Sequence, residues 1–300
     1  MTLAEIKTLL NVPQCEGDET IVIARVKAIS DPSFDEASIG WVSDGNLSLL
    51  SNLNAGCVIV SHLKYNDAVL LNEKLCFLAV ESPRKAFKLM LEKLFSQKTE
   101  FGQIHPSAIF EENCFTDKTQ VFIGPNVVIE KGCEIGVRVE IGANTVVKSG
   151  TIIGDDCKIG SNNTIGGVGF GYELNDEGDY ELIPHIGNVV LAKGVEIGNN
   201  VCIDRAVLGA TFLDENVKVD NLVHIAHGVQ IGKNSLIIAN SMIAGSVQIG
   251  ENVWVSPSAS IRQKLHIGNR ALVGMGAVVV KNIESDTIVA GNPAKPFDKK

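Results

Sequence analysis

Residues 219–255 read V-D-N-L-V-H-I-A-H-G-V-Q-I-G-K-N-S-L-I-I-A-N-S-M-I-A-G-S-V-Q-I-G-E-N-V-W-V, with an aliphatic residue at every sixth position. The same period runs from Val207 to Val279, and an earlier run covers Ile123 to Ile165. A period of six matches neither the helical period of about 3.6 nor the period of 2 in a strand. The spacing instead predicts short strands joined by turns, three to a coil of about 18 residues, stacked by parallel pairing. The predicted fold is therefore mainly β, a left-handed parallel β-helix of hexapeptide repeats.

The corners of such a coil are tight, and the sequence supplies turn residues there. Gly-Pro-Asn at 124–126 and Gly-Lys-Asn at 232–234 are two examples. Glycine and asparagine tolerate positive φ better than other residues. We therefore expect both to adopt positive φ at these corners.

The repeat defines the domain boundaries. We predict a β-helix over residues 101–284, followed by a tail over 285–300. Residues 166–186 have no six-residue phase and are predicted to form a long loop, and a second insertion is expected near 204–212. Residues 1–100 lack the repeat, but T-I-V-I-A-R-V and G-C-V-I-V-S favour strands and P-R-K-A-F-K-L-M-L-E-K-L-F favours an amphipathic helix. This part is predicted to be a small α/β domain.

The composition argues against some classes of partner and indicates the cellular compartment. The net charge of −9 argues against a nucleic-acid partner, which needs a basic face. Seven dispersed cysteines without a C-x-x-C pair indicate free thiols in a reducing compartment. The N-terminal residues lack the order of a signal peptide, and no apolar run reaches the roughly 20 residues of a membrane span. We expect a cytoplasmic protein.

His224 and His227 are the candidate reactive residues. The core of a β-helix is aliphatic, so reactive groups must lie outside it. With Ile225 pointing inward, His224 and His227 occupy outward positions on one rung. One coil after His227 comes Gly245, so the two should be neighbours. A histidine can accept a proton near neutral pH, and a glycine N–H can hold a developing oxyanion. The pair suits acyl transfer from a thioester, with Asp220 as a candidate to orient the imidazole.

A metal site is the competing use of these histidines. His224 and His227 are three positions apart on a strand, so their side chains need not converge on one ion. A further ligand could come from His185, His266 or a second subunit. The spacing does not favour a metal site, and we predict none.

Several motifs resemble the bacterial UDP-3-O-acylglucosamine N-acyltransferases of lipid A biosynthesis. They are G-G-V-G-F-G-Y at 166–172, I-P-H-I-G-N-V-V, G-V-E-I-G-N-N-V-C-I-D-R, N-L-V-H-I-A-H-G-V-Q-I-G and I-A-G-S. The resemblance implies a homotrimer in which His227 is the catalytic base and Gly245 the oxyanion donor. S-I-G at 38–40 and L-S-L-L-S-N at 47–52 are similar to the uridine-binding N-terminal domain of that family, which makes Asn52 a candidate binding residue.

The resemblance also implies a substrate set: an acyl carrier protein or acyl-CoA as donor, a UDP-linked amino sugar as acceptor, and no permanently bound cofactor. Candidate substrate-binding residues are Phe170, Tyr172, His185, His224 and Lys264, the last standing where the family has a second histidine.

Departures from the family leave alternatives open. Gly228 follows His227, where the family has an asparagine after its catalytic histidine, and Leu49 stands at one of the family's uracil-stacking positions. The G-N-P-A-K tail, in place of the family's C-terminal helices, resembles acetyl-CoA-dependent acetyltransferases. One alternative is therefore a nucleotide-amino-sugar acetyltransferase for a surface polysaccharide. Two others, of different classes, are a metal-dependent enzyme of the γ-carbonic anhydrase type and a non-catalytic β-helix scaffold.

Overall fold

Three parallel sheets wrap around a core of stacked aliphatic side chains, which confirms the left-handed parallel β-helix. Ile225 shows the principle: it pairs with Ile203 in the preceding coil and Ile243 in the following one, and all three are completely buried. Each such side chain stabilises the fold by about 1.5–3 kcal/mol. In this computed structural model, residues 1–12, 15–16, 20–95 and 99–296 are described. The chain divides into two compact units, residues 1–98 and 99–300.

The strands of the second unit are short and fall on three faces. The first face contains Ile109–Phe110, Val128–Ile129, Val146–Val147, Thr164–Gly167, Cys202–Asp204, His224–Ile225, Met242–Ile243, Ser260–Ile261 and Val278–Val279. The second contains Phe115–Thr116, Glu134–Ile135, Ile152–Ile153, Asn188–Leu191, Ala210–Leu213, Gln230–Ile231, Gln248–Ile249 and His266–Ile267. The third contains Gln103–Ile104, Val121–Ile123, Val139–Ile141, Lys158–Ile159, Glu196–Ile197, Lys218–Val219, Leu236–Ile237, Trp254–Val255, Leu272–Val273, Ile288–Ala290 and Lys295–Pro296.

The glycine that follows the core aliphatic residue is needed for a reason other than the expected one. Positive φ at the corners comes from asparagines such as Asn144, at 59°, and from other glycines such as Gly150, at 71°, whereas Gly142 is not among the residues with positive φ. A Cβ on Gly142 would lie 2.7 Å from the carbonyl carbon of Gly160 in the next coil. The prediction of positive φ is therefore right for asparagine and wrong for glycines such as Gly142, which allow successive coils to stack closely.

Two insertions interrupt the regular coil. Ile152 pairs with Val190, whereas one regular coil would bring it beside Phe170, and the difference is filled by the predicted loop at 166–186, here called the long insertion. It contains an antiparallel hairpin of Tyr172–Leu174 and Tyr180–Leu182.

The short insertion lies within 204–212, as predicted. Cys202 pairs with His224, whereas one regular coil would bring it beside Asp220. Val207 is only partly buried within this short insertion. The uninterrupted repeat therefore begins at Leu213 rather than at Val207.

The β-helix extends beyond residue 284, which corrects the predicted boundary. Ile288–Ala290 pairs in parallel with Leu272–Val273, and Lys295–Pro296 then pairs with Ile288–Ala290 in antiparallel fashion. The last coil is shorter than the regular one, since Leu272 lies beside Ile288 and not beside Ala290. This shortening removes Val289 from the six-residue phase, so the repeat alone places its strand in the tail.

The first unit is an α/β fold around a five-stranded sheet. The strands lie in the order Cys15–Glu16, Cys76–Val80, Cys57–Ser61, Ser38–Trp41 and Arg25–Val26, all parallel except the first. Helices span Leu3–Leu10, Tyr65–Leu71 and Pro83–Phe95, and 3₁₀ turns span Asp44–Asn52 and His62–Lys64. Alternate residues of Cys57–Ser61 bury opposite faces, as the strand period requires. Of the predicted strand at 20–26, only Arg25–Val26 pairs in this sheet.

Two expectations from composition concern helices and thiols. Among the described residues, no helix combines the length and the apolar character needed to cross a membrane. Cys114, Cys133, Cys157 and Cys202 carry free thiols, and Cys202 is exposed. Burial raises the pKa of Cys133 and of Cys157 to about 11, which makes these two thiols unreactive.

Candidate functional site

His227 and Gly245 are direct neighbours in successive coils. The pairing of His224 with Met242 and of Ile225 with Ile243 aligns the corners that follow them. A Cβ on Gly245 would lie 2.8 Å from Nε2 and 2.9 Å from Cε1 of His227. Only glycine therefore fits at position 245 without displacing the imidazole.

The amide of Gly245 is available to a ligand. Its two chain neighbours are engaged, since Ala244 N–H donates to Ile261 O and Ser246 N–H donates to His227 O at 2.9 Å. The Gly245 carbonyl accepts from Lys264 N–H at 2.9 Å. Within the described ranges, the Gly245 N–H itself donates to no protein group. An unpaired N–H beside an imidazole is the arrangement that an oxyanion requires.

His185 packs against the catalytic candidate from the long insertion. Its ring meets that of His227 at 5.4 Å between centroids and at an angle of 82°. Its Nδ1 lies 2.7 Å from Ile183 O, so Nδ1 carries a hydrogen and donates to that carbonyl. The Nε2 of His185 is buried with no hydrogen-bond partner in the described part of the chain. A Cβ on Gly169 would lie 2.9 Å from it, so the insertion closes tightly over both histidines.

The surroundings of His227 favour its neutral form. Burial lowers the pKa of His227 below its ordinary value of 6.5, and the charge of a protonated His185 lowers it further. A neutral imidazole has a free lone pair at neutral pH. His227 is therefore able to accept a proton near neutral pH.

Asp204 is a functional candidate that the sequence alone does not reveal. Its Oδ2 lies 3.6 Å from His224 Nε2, and its side chain is only 13% exposed. Burial raises the pKa of the Asp204 carboxyl, while the charges of His224 and His185 oppose that shift. The C-I-D-R motif contains Asp204, but its proximity to His224 depends on the short insertion, which a count of regular coils does not include.

These groups border one cleft of about 550 Å³ on the first face of the β-helix. Phe170 and Lys264, both predicted as binding residues, are part of its lining. Tyr172 is next to Phe170, with 5.0 Å between ring centroids, but it lies outside that lining. The lining comprises Phe170, Asp204, His224, Ala226, His227, Met242, Ala244, Gly245, Ser246, Gln263 and Lys264.

Two predicted site residues lie elsewhere. The carboxylate of Asp220 accepts from the N–H groups of Asn221 and Ala239, so it stabilises a corner and is not placed to orient His227. Asp220 also stands at the corner before the His224 strand, whereas His227 stands at the corner after it. Asn52 ends a 3₁₀ turn in the first unit and borders a separate cavity with Leu49 and Asp31.

Within the described part of this single chain, the histidines do not converge with other ligand side chains. Among residues 1–12, 15–16, 20–95 and 99–296, no group of three or more histidine, cysteine, aspartate or glutamate side chains is arranged to hold an ion. His185, His224 and His227 thus have no common centre. The γ-carbonic anhydrase alternative would therefore need at least one ligand from a second subunit.

Comparison with known proteins adds three findings. Residues 138–167 match the family model described as bacterial transferase hexapeptide (six repeats). The chain is 39% identical over 302 residues to UDP-3-O-acylglucosamine N-acyltransferase of Desulfotalea psychrophila, with 94% of this chain and 85% of the relative aligned. It is 36% identical over 241 residues to UDP-3-O-acylglucosamine N-acyltransferase 1 of Legionella pneumophila, with 74% of this chain and 66% of that relative aligned.

The structural comparison concerns the fold alone. The crystal structure of a UDP-N-acetylglucosamine acyltransferase from Francisella novicida matches with a TM-score of 0.59 at 23% identity. The match covers 65% of this chain and 70% of that one.

In the sequence comparison, the chain spans just under two thirds of the length of the Legionella relative.

Proposed function

Because this chain belongs to the UDP-3-O-acylglucosamine N-acyltransferase family, we propose that it transfers an acyl group from a thioester to the amine of a UDP-linked amino sugar. The reaction would serve lipid A biosynthesis. The observation that carries the proposal is the contact between His227 and Gly245, because it pairs a base with an unpaired N–H at one cleft.

The chemistry follows from this pair. The amine nitrogen attacks the thioester carbonyl carbon, so a C–N bond forms and the C–S bond breaks. His227 Nε2 takes the proton that the nitrogen loses and returns it to the leaving thiolate sulfur. The Gly245 N–H donates to the carbonyl oxygen while that oxygen carries negative charge. The products are an amide and a free thiol.

The other candidate residues are assigned to binding. We propose that Lys264 contacts a phosphate of the nucleotide, because it brings a positive charge to the cleft of an acidic protein. Phe170 and Tyr172 offer adjacent aromatic surface for the acceptor or the acyl chain. His224 contributes polar ring atoms to the cleft, and His185 acts from behind His227, against which its ring packs. Asn52 would take part through the first unit, in binding uridine.

The donor is proposed to be an acyl carrier protein. A second candidate is acetyl-CoA, and the G-N-P-A-K sequence at 291–295 favours it. This segment is part of the last coil, where Ala294 N–H donates to Val278 O. The two donors differ in acyl chain length and in the protein attached to pantetheine, so direct competition between them separates the candidates.

A homotrimer in the cytoplasm completes the proposal. The long insertion leaves Val168, Phe170, Tyr180 and Ile186 more than half exposed, which supports burial against another copy. The free thiols of the β-helix suit a reducing compartment. Light scattering coupled to size-exclusion chromatography should give three times the mass of 32.1 kDa.

The proposed function is tested by turnover. Purified protein is incubated with a long-chain hydroxyacyl carrier protein or acetyl-CoA and a UDP-linked amino sugar, and free thiol and amide are measured. We expect thiol release that depends on the acceptor, with an amide product identified by mass spectrometry. No release with any thioester would support the non-catalytic scaffold instead.

A further inference from the structure

The carboxylate of Asp204 borders the cleft but has no role in the reaction steps described so far. It is nearly buried, and in the described ranges of the chain the side-chain hydrogen bond to this residue, from Thr211 Oγ1, goes to its backbone carbonyl and not to its carboxylate. Burial against the coil limits the water that reaches this carboxylate, and His224 Nε2 at 3.6 Å is too far away to donate a good hydrogen bond to it. The Asp204 carboxylate can therefore accept hydrogen bonds from a ligand in the cleft.

The position of Asp204 ties it to the reacting centre. Its strand neighbour Ile203 pairs with Ile225, so Asp204 lies beside Ala226, the residue before His227. His224, the other partner of Asp204, is 44% exposed through its side chain and borders the same cleft. A ligand held by Asp204 and His224 would thus lie next to His227.

The chemistry of the acceptor creates a need for a second base. An α-amino group has a pKa of about 7.7–8.0, and the lysine amine has one of about 10.4. The amine of an amino sugar belongs to the same class of primary amines, so at pH 7 most of the acceptor enters as an ammonium ion. An ammonium nitrogen has no lone pair and cannot attack a thioester. Two protons must therefore leave the nitrogen for each amide formed, and His227 accounts for one of them.

We propose that Asp204 and His224 bind the protonated amine of the acceptor and remove its first proton. This proposal rests on the proposed function. Oδ2 of Asp204 and Nε2 of His224 are 3.6 Å apart, so one nitrogen at about 2.8 Å from each can donate to both. The ammonium supplies the donor that the Asp204 carboxylate lacks, and a charge-assisted bond forms between them.

Both protons that the acceptor nitrogen loses have a defined destination. One ammonium N–H bond breaks, its proton moves to Nε2 of His224, and its electron pair becomes the lone pair of the nucleophile. Asp204 stays ionised and compensates the new positive charge on His224. The second proton moves to His227 during attack and then to the thiolate sulfur. His224 releases its proton to solvent at its exposed edge after the products leave.

Other titratable groups face this pair and are included in the test. Cys202 and His185 lie close enough to Asp204 to interact with it electrostatically. His227 and Lys264 border the same cleft. The pH profile of each variant must therefore be compared with that of wild type, because Cys202, His185, His227 and Lys264 are the same in both and their contributions cancel.

The first experiment compares the pH profiles of kcat/KM for wild type, Asp204→Asn and His224→Gln between about pH 6.5 and 9. Wild type should lose little activity below the pKa of the acceptor amine, because it binds the ammonium form. Both variants should lose about tenfold per pH unit there, since only free amine can react, and should approach wild type at alkaline pH. Asp155→Asn and His266→Gln, which change other outward-facing residues of the β-helix, serve as matched controls and should keep the wild-type profile.

If kcat/KM of the two variants were lowered by the same factor at every pH, their profiles would run parallel to that of wild type. That result would contradict the proposal and leave Asp204 and His224 with only a structural role. Circular dichroism and thermal melting establish that each variant is folded. If Asp204→Asn does not fold, the His224→Gln profile decides alone.

A second measurement needs no turnover. Calorimetry compares the binding of UDP-glucosamine with that of UDP-glucose, which carries a hydroxyl in place of the amine. Wild type should prefer UDP-glucosamine at pH 7 by tenfold or more, and Asp204→Asn should lose that preference. Equal weakening for both nucleotides would refute the ammonium site. A wild type that binds selectively but transfers no acyl group would instead refute the proposed function.

Discussion

The imidazole of His185 meets that of His227 edge to face, with 5.4 Å between the ring centroids. Both rings are removed from most of the solvent, and a protonated His185 makes protonation of its neighbour less favourable. The long insertion therefore does more than cover the cleft. Through His185 it also acts on the protonation state of the proposed base.

Removing His185 should shift the acid limb of the activity profile. Burial and the His185 charge both lower the pKa of His227, so activity should persist to a pH below the ordinary value of 6.5. His185→Gln removes the charge and keeps a polar side chain of similar reach. The pKa of His227 should then rise, and the acid limb of kcat/KM should move to higher pH. An acid limb that stays in place, or moves to lower pH, would contradict this role.

Gly245→Ala should reduce turnover far more than it reduces stability. The new Cβ would lie 2.8 Å from His227 Nε2, so the imidazole and the neighbouring N–H must move apart. Loss of one oxyanion donor typically costs about 10²–10³ in kcat, and we expect a loss in that range. Gly45→Ala is the matched control, because a Cβ there meets nothing within 4 Å. Wild-type turnover by Gly245→Ala would show that this contact is not part of the reaction.

The corner asparagines should contribute to stability through their backbone conformation. Asn144 has a φ of 59° and forms side-chain hydrogen bonds with Asn126 and Asn162 in the neighbouring coils. Asn144→Ala removes those bonds and places a Cβ residue in the left-handed region, which costs roughly 1–2 kcal/mol by itself. Asn144→Gly removes the bonds but suits the backbone, so it should be less destabilising. Urea denaturation of both variants checks this order, and an alanine variant as stable as the glycine variant would contradict it.

The repeat predicts some parts of the site and misses others for a definite reason. Between His227 and Gly245 the coil keeps its regular length, so counting along the sequence brings the two together. Between Asp204 and His224 the short insertion lengthens the coil, and the same counting fails. His185 lies in the long insertion, which has no repeat phase at all. Register arguments therefore work only where no residue has been inserted.

The corner carboxylates show a second limit. Asp220 and Asp204 are both aspartates near the His224 strand, and the sequence offers no means of ranking them. In the structure Asp220 accepts hydrogen bonds from turn amides, whereas the Asp204 carboxylate faces His224. The difference arises from the hydrogen-bond donors that surround each side chain. One donor to Asp220 is the N–H of the next residue, Asn221, but the other, the Ala239 N–H, comes from the following coil and is evident only in the structure.

The central claim is that His227 is the general base of an acyl transfer, and single-turnover kinetics of His227→Ala tests it most directly. The protein is mixed with acyl carrier thioester and UDP-linked amino sugar, and amide formation is followed at pH 7 and pH 9. General-base catalysis contributes about 10²–10⁴, so His227→Ala should be slower by that factor at both pH values while it still binds the acceptor. A His227→Ala protein that forms amide at the wild-type rate would contradict this mechanism.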